Sequence, residues 1–142
     1  RAARRMAGIV LIAPAADMTN DLMLDAFSPE SRQQLETRDV FQRPSEYGDP
    51  MPITLKLLED GAKHLLLKTG LELPCPVRIL QGSSDSDVPP SHALKVFAAL
   101  SGPDITMTLI KGGDHRLSTP GQLALIRETA LQLAERADGI TP

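Results

Sequence analysis

Two polar, glycine-bearing stretches hold the residue types that acid–base and nucleophilic chemistry require. Gly82-Ser83-Ser84-Asp85-Ser86-Asp87-Val88-Pro89 carries two carboxylates, and Lys111-Gly112-Gly113-Asp114-His115-Arg116 carries a histidine beside a third. Histidine titrates nearest to neutral pH, so it is the natural general base. A carboxylate bonded to one imidazole nitrogen fixes the tautomer and leaves the other nitrogen to accept a proton from a nucleophile. Asp85 is read as that acid and His115 as that base. Asp87 is the second candidate acid, and otherwise an exposed, loop-shaping carboxylate. Asp114 is read as structural, because a backbone that turns His115 inward turns its neighbour away. Arg116 is read as holding the loop, by pairing with Asp114 or a backbone carbonyl. On the residues alone two plainer roles stay open: Asp85 as an Asx-type turn residue and His115 as a surface histidine.

What these residues need is an element that brings the two stretches together. Each follows a short apolar run bounded by turn formers. Val77-Arg78-Ile79-Leu80-Gln81 ends at Gly82, and Ile105-Thr106-Met107-Thr108-Leu109-Ile110 ends at Gly112-Gly113. A third run, Gly8-Ile9-Val10-Leu11-Ile12-Ala13, ends at Pro14. It is near-continuously apolar, as in a parallel strand covered on both faces, whereas the Ile105 run alternates and is expected to have one wetter face. Between the strands lie helical patterns. Residues 91 to 100 place Ala93, Leu94, Phe97, Ala98 and Leu100 near helical spacing. Thr119-Pro120-Gly121-Gln122 reads as a capping box with proline at the first helical position, followed by a stripe of Leu123, Ile126, Ala130, Leu133 and Ala134. Strand and helix alternating in this way predict an α/β class with parallel strands and flanking helices. Loops at the C-terminal ends of such strands are where open α/β sheets bind their ligands.

Residues 17–73 exceed a single crossover and read as a helical cap insertion. Ser28-Pro29 is expected to start one helix, and Pro52 to about Leu67 to form a longer one. Met18, Met23 and Met51, with Leu22, Leu24, Phe27 and Ile53, either line an acyl-chain pocket beneath that insertion or simply pack its core.

Apolar residues at 42% and charged residues at 23% are the balance of a folded globular protein. The net charge of −3 argues against a nucleic-acid partner, and the cluster Arg1, Arg4, Arg5 reads as the solvated end of a helix. The single cysteine, Cys75, excludes an internal disulfide and is expected to be a buried thiol. No apolar run is long enough for a membrane span. His64 and His92 fall in predicted helices, and the three histidines share no metal-ligand spacing, so no metal and no cofactor are expected.

With these residues in view, the sequence resembles the α/β-hydrolase serine hydrolases. G-x-x-D-x-x-V-P after one strand and D-H after the next look like their acid and base loops, in their chain order. Within them it is most similar to the group of the mitochondrial acyl-protein thioesterase that also cleaves acyl glucuronides, and its bacterial relatives. The stretches that carry this are Ala13–Asp17, Arg43–Tyr47, Leu58–Leu67, Pro74–Leu80 and Asp114–Arg116. The resemblance implies that residues 1–142 form the C-terminal part of one such domain. It also implies a small-molecule or acylated-protein ester or thioester substrate, and a bacterial cytoplasmic or mitochondrial location. The family's nucleophile stands in G-x-S-x-G, a motif that does not occur here. Ser83 and Ser84 lie in the acid's own loop, where no turn aims a hydroxyl at His115. The serine is therefore expected upstream of Arg1, with the oxyanion-hole donors also outside this sequence. An exposed sheet edge is expected to favour self-association; the alternative to a hydrolase is a non-catalytic fragment or half-domain that pairs with another polypeptide, inactive because the nucleophile serine is absent.

Overall fold

The structure, a computed structural model, describes residues 6–24, 26–44 and 48–137. Arg1, Arg4 and Arg5, and residues 45–47 of the Arg43–Tyr47 stretch, lie outside the described residues. The chain divides into two compact units, Arg1–Ala15 with Leu67–Pro142, and Ala16–Leu66.

The first unit is built on three parallel strands, β1 (Ile9–Ile12), β5 (Val77–Gly82) and β7 (Ile105–Ile110), in the order β1-β5-β7. Ile9 pairs with Val77, and Val77 with Ile105, so β5 is hydrogen-bonded along both sides. That central place decides the burial. Val77, Ile79 and Gln81 of β5 are fully buried, whereas β1 is only half-buried and leaves Ile12 exposed. The most continuously apolar run is thus not the most covered one, because pairing on both sides shields a strand more than its own composition does. In β7, Thr106 and Thr108 are exposed while Ile105 and Met107 are half-buried, the expected alternation, although Leu109 is exposed as well. Leu73, Val77 and Ile79 form the core, with Ile9, Leu11, Leu100, Ile105 and Met107 packed on it. Cys75 is buried.

The helices α3 (Pro90–Ala99) and α4 (Pro120–Ala137) follow β5 and β7. Helix α3 buries His92, Ala93 and Val96, and a two-residue parallel pair, β4 (Leu71–Glu72) with β6 (Leu100–Ser101), lies beside its end. Helix α4 begins with the capping box: Thr119 N–H donates to Gln122 Oε1 at 3.0 Å and Gln122 N–H to Thr119 Oγ1 at 3.4 Å. Its buried stripe is narrower than expected. Leu133 is buried and Ile126 half-buried, but Leu123, Ala130 and Ala134 are exposed. The helix lies along β1. Its 18 residues span roughly 27 Å against roughly 13 Å for the four residues of that strand. At the start of β7, Asp104 takes a bidentate pair from Arg78 of β5, at 2.8 and 2.9 Å, and a third contact from Arg136 of α4 at 3.1 Å.

The second unit contains a π-helical turn (Thr19–Leu24), α1 (Pro29–Arg38), the hairpin strands β2 (Val40–Arg43) and β3 (Met51–Thr54), and α2 (Leu55–Gly61). Ser28 caps α1 by accepting Ser31 N–H at 3.2 Å, with Pro29 in the first turn as the sequence indicates. The helix expected from Pro52 to Leu67 is shorter. Pro52-Ile53-Thr54 pairs with β2 instead, and the Thr54 side chain accepts Leu57 N–H at 3.1 Å, which starts the helix at Leu55. A proline followed by two β-branched residues favours the extended form. Met23, Phe27, Leu35, Ile53 and Leu58 form this unit's core. Phe27 meets Phe41 edge-on, with ring centroids 5.5 Å apart. Of the methionines proposed for an acyl pocket, Met18 and Met51 are exposed, while Met23 borders a cavity of about 220 Å³ with Leu22, Phe27, Phe41 and Arg43.

Candidate active site

Two glycines bring the acid and base loops together. Gly82 ends β5, and Gly113 lies just past β7, the neighbouring strand. A Cβ on Gly82 would overlap the carbonyl oxygens of Gly113 and Asp114, and one on Gly113 would press on the Leu117 side chain. The backbones touch where side chains would stand. Hydrogen bonds then join the loops: Ser83 N–H to Ile110 O and Ser84 N–H to Gly113 O, both at 2.9 Å. Gly112 N–H donates to Ser83 Oγ at 2.8 Å, so that hydroxyl serves the loop junction.

This junction sets Asp85 against His115, with Oδ2 and Nδ1 3.0 Å apart. The Asp85 side chain is wholly buried and the His115 side chain 42% exposed. Asp85 Oδ1 accepts the backbone N–H groups of Asp87 at 3.0 Å and Val88 at 2.8 Å. Oδ2 accepts Gln81 Nε2 at 3.1 Å as well as His115. Burial pushes the Asp85 carboxyl up, but the Val88 N–H, the His115 imidazole and the Gln81 amide outweigh it and hold the group below its ordinary value. The carboxylate therefore stays ionised at neutral pH and can only accept, which places the shared hydrogen on Nδ1 and leaves Nε2 as the basic nitrogen.

The neighbours fall into supporting places. Asp87 is exposed and meets Asp85 through its backbone N–H rather than competing for His115. Asp114 Oδ1 accepts Leu117 N–H at 2.9 Å, closing the turn that carries His115. Leu117 is fully buried and adopts φ +45°, so its side chain anchors that turn from below. Asp85, Asp87 and His115 each offer a donor atom within 4.8 Å of the others. The N–H donors already on Asp85 occupy the lone pairs a cation would need, so the set is better suited to holding a proton than a metal ion. The residue that sequence reading passed over is Gln81. Its signal was available: a polar side chain at the end of an apolar strand, four positions before the acid.

Proteins of known sequence and structure share this arrangement of strands. The chain superposes on a protein from Agrobacterium vitis S4 described as a hydrolase, with TM-score 0.85 and 39% identity over 89% of this chain and 49% of the other. It superposes on mouse alpha/beta hydrolase domain-containing protein 10 with TM-score 0.77 and 28% identity, over 91% of this chain and 52% of the other. This is an α/β-hydrolase fold. Among curated proteins, the mouse mitochondrial palmitoyl-protein thioesterase ABHD10 is 28% identical over 119 residues, 82% of this chain and 40% of its own length. The human protein of that name is 24% identical over 138 residues, 96% of this chain and 45% of its own length. The chain thus spans less than half the length of these curated relatives. No protein-family model matches it. Asp85 and His115 follow the C-terminal ends of β5 and β7, neighbouring strands of this sheet. No helix among the described residues is long and apolar enough to cross a membrane.

Proposed function

We propose that this chain supplies the acid and base of a serine hydrolase that cleaves carboxylic esters or thioesters through an acyl-enzyme. The observation that carries the reading is the 3.0 Å contact between a buried, ionised Asp85 and the Nδ1 edge of a partly exposed His115. In the reaction, His115 Nε2 takes the proton of a serine hydroxyl as that oxygen attacks the acyl carbonyl. It returns the proton to the departing alkoxide or thiolate, and then activates the water that hydrolyses the acyl-enzyme. Asp85 keeps the imidazole in the required tautomer and stabilises its protonated form. The serine belongs to a G-x-S-x-G turn in sequence preceding Arg1, and residues 17–73 act as a cap that sets acyl preference. The thioesterase names of the mammalian relatives favour an acylated thioester, on a protein or a small molecule. Their mitochondrial designation supports a mitochondrial location; for a chain of bacterial origin, like the similar Agrobacterium protein, the location is the cytoplasm.

The test joins this chain to the sequence that precedes it and measures cleavage of an acyl thioester. His115→Ala is expected to abolish turnover; wild-type kcat in that variant would sink the assignment. A fluorophosphonate probe is expected to label the joined protein and to leave the 142-residue chain unlabelled. Labelling of the 142-residue chain would place a nucleophile within it and overturn the upstream serine.

A further inference from the structure

Gln81 is fully buried at the end of the central strand β5, four residues before Asp85. Its amide nitrogen lies 3.1 Å from Asp85 Oδ2, 3.0 Å from Val88 O and 3.2 Å from Gly82 O. Val88 N–H in turn donates to Asp85 Oδ1 at 2.8 Å. Gln81, Asp85 and Val88 therefore form a closed ring of hydrogen bonds. It grips both oxygens of the carboxylate and ties the acid loop to a strand that is itself paired on both sides. We propose that Gln81 is a positioning residue for the acid–base pair, fixing the rotation of the Asp85 carboxylate and, through it, the Nδ1–H tautomer of His115.

The orientation of the amide supports this. Its oxygen, Oε1, is buried without a hydrogen-bond partner among the described residues. Turning the amide over would not help, because Oε1 would then face the three oxygens that Nε2 now serves. The unpartnered oxygen is tolerated so that the donor can be aimed at Asp85 and the acid loop. Oδ2 is the oxygen that also accepts His115, so Gln81 acts on the atom that orients the base. The competing role is packing alone, with the amide merely satisfying the Gly82 and Val88 carbonyls. That role predicts no effect on the imidazole.

The inference rests on the hydrolase reading only for the use made of the pair. Imidazole nitrogen NMR spectra of the chain, taken where His115 is neutral, test it without any need for turnover. In the wild type the Nδ1–H form is expected to dominate. In Gln81→Met, close in size and without the donor, its population relative to the Nε2–H form is expected to fall about fivefold to tenfold. An unchanged tautomer ratio in a folded Gln81→Met overturns the proposal. Should that variant not fold, the wild type and Asp85→Asn decide: the Gln81 side-chain amide resonances are expected to move between them, and coincident resonances overturn the proposal. Loss of the His115→Ala phenotype in ester cleavage would remove the hydrolase reading and leave these spectra unaffected, so each can fail alone.

Discussion

Gly82 and Gly113 meet backbone to backbone, and a Cβ on Gly82 would occupy the space of the Gly113 carbonyl oxygen. This contact, between the residue that ends β5 and one just past the end of its neighbour β7, is what allows Asp85 and His115 to reach each other. Gly82→Ala is expected to force the loops apart. Overpacking of this kind costs about 1–3 kcal/mol, to be read from urea unfolding. The same variant is expected to lose the Asp85–His115 hydrogen bond, visible as loss of the Nδ1–H signal of the imidazole. Retention of that signal would show that the glycine contact does not set the pair.

Asp85 gives a pH dependence with a defined sign. Its carboxyl is held below the ordinary 3.8, so the folded state binds its proton less readily than the unfolded chain does. The stabilisation is fully present above 3.8 and is lost as pH falls through the lower folded-state value. Urea unfolding at pH 5 and near pH 3 is expected to show a smaller acid loss of stability in Asp85→Asn than in the wild type. Parallel losses in the two proteins would contradict the assignment. In the chain joined to its preceding sequence, on the hydrolase proposal, the same substitution is expected to lower kcat by about 10⁴, with the imidazole in the wrong tautomer.

Leu117 anchors the turn that carries His115. It is fully buried, and its N–H is held by Asp114 at 2.9 Å. Leu117→Ala is expected to cost about 2–5 kcal/mol through the lost burial and the cavity left behind. The histidine signals should broaden as the turn loosens. A variant with unchanged stability would show that the turn is held elsewhere.

The capping box of α4 provides a control outside the hydrogen bonds of the Asp85–His115 pair. Thr119→Ala removes the hydroxyl that accepts Gln122 N–H and is expected to cost about 1 kcal/mol. The tautomer of His115 is expected to remain as in the wild type; a change would mean that α4 is coupled to the base loop.

Much of this protein is written in local chemistry. Apolar runs bounded by Gly82, Pro14 and Gly112 mark the three strands, and Ser28 and Thr119 mark helix starts, because caps and turn formers act over three or four residues. Asp85 and His115 stand out for the same reason, each beside glycines after a strand. The helix expected over Pro52–Leu67 failed because Pro52, Ile53 and Thr54 had a partner, β2, that a helical pattern cannot reveal. The broad stripe expected on α4 failed because burial depends on what lies opposite a helix as well as on its own spacing.

By itself, then, the sequence determined where strands and helices begin and which residues were candidates for acid and base. Only the tertiary structure decided that β5 is central, that Asp85 rather than Asp87 faces His115, and that Gln81 grips the acid. Each of these depends on groups far apart in the chain or on the direction a side chain takes when two loops close on each other. Backbone contact at Gly82 and Gly113 sets that direction, and no local pattern encodes it.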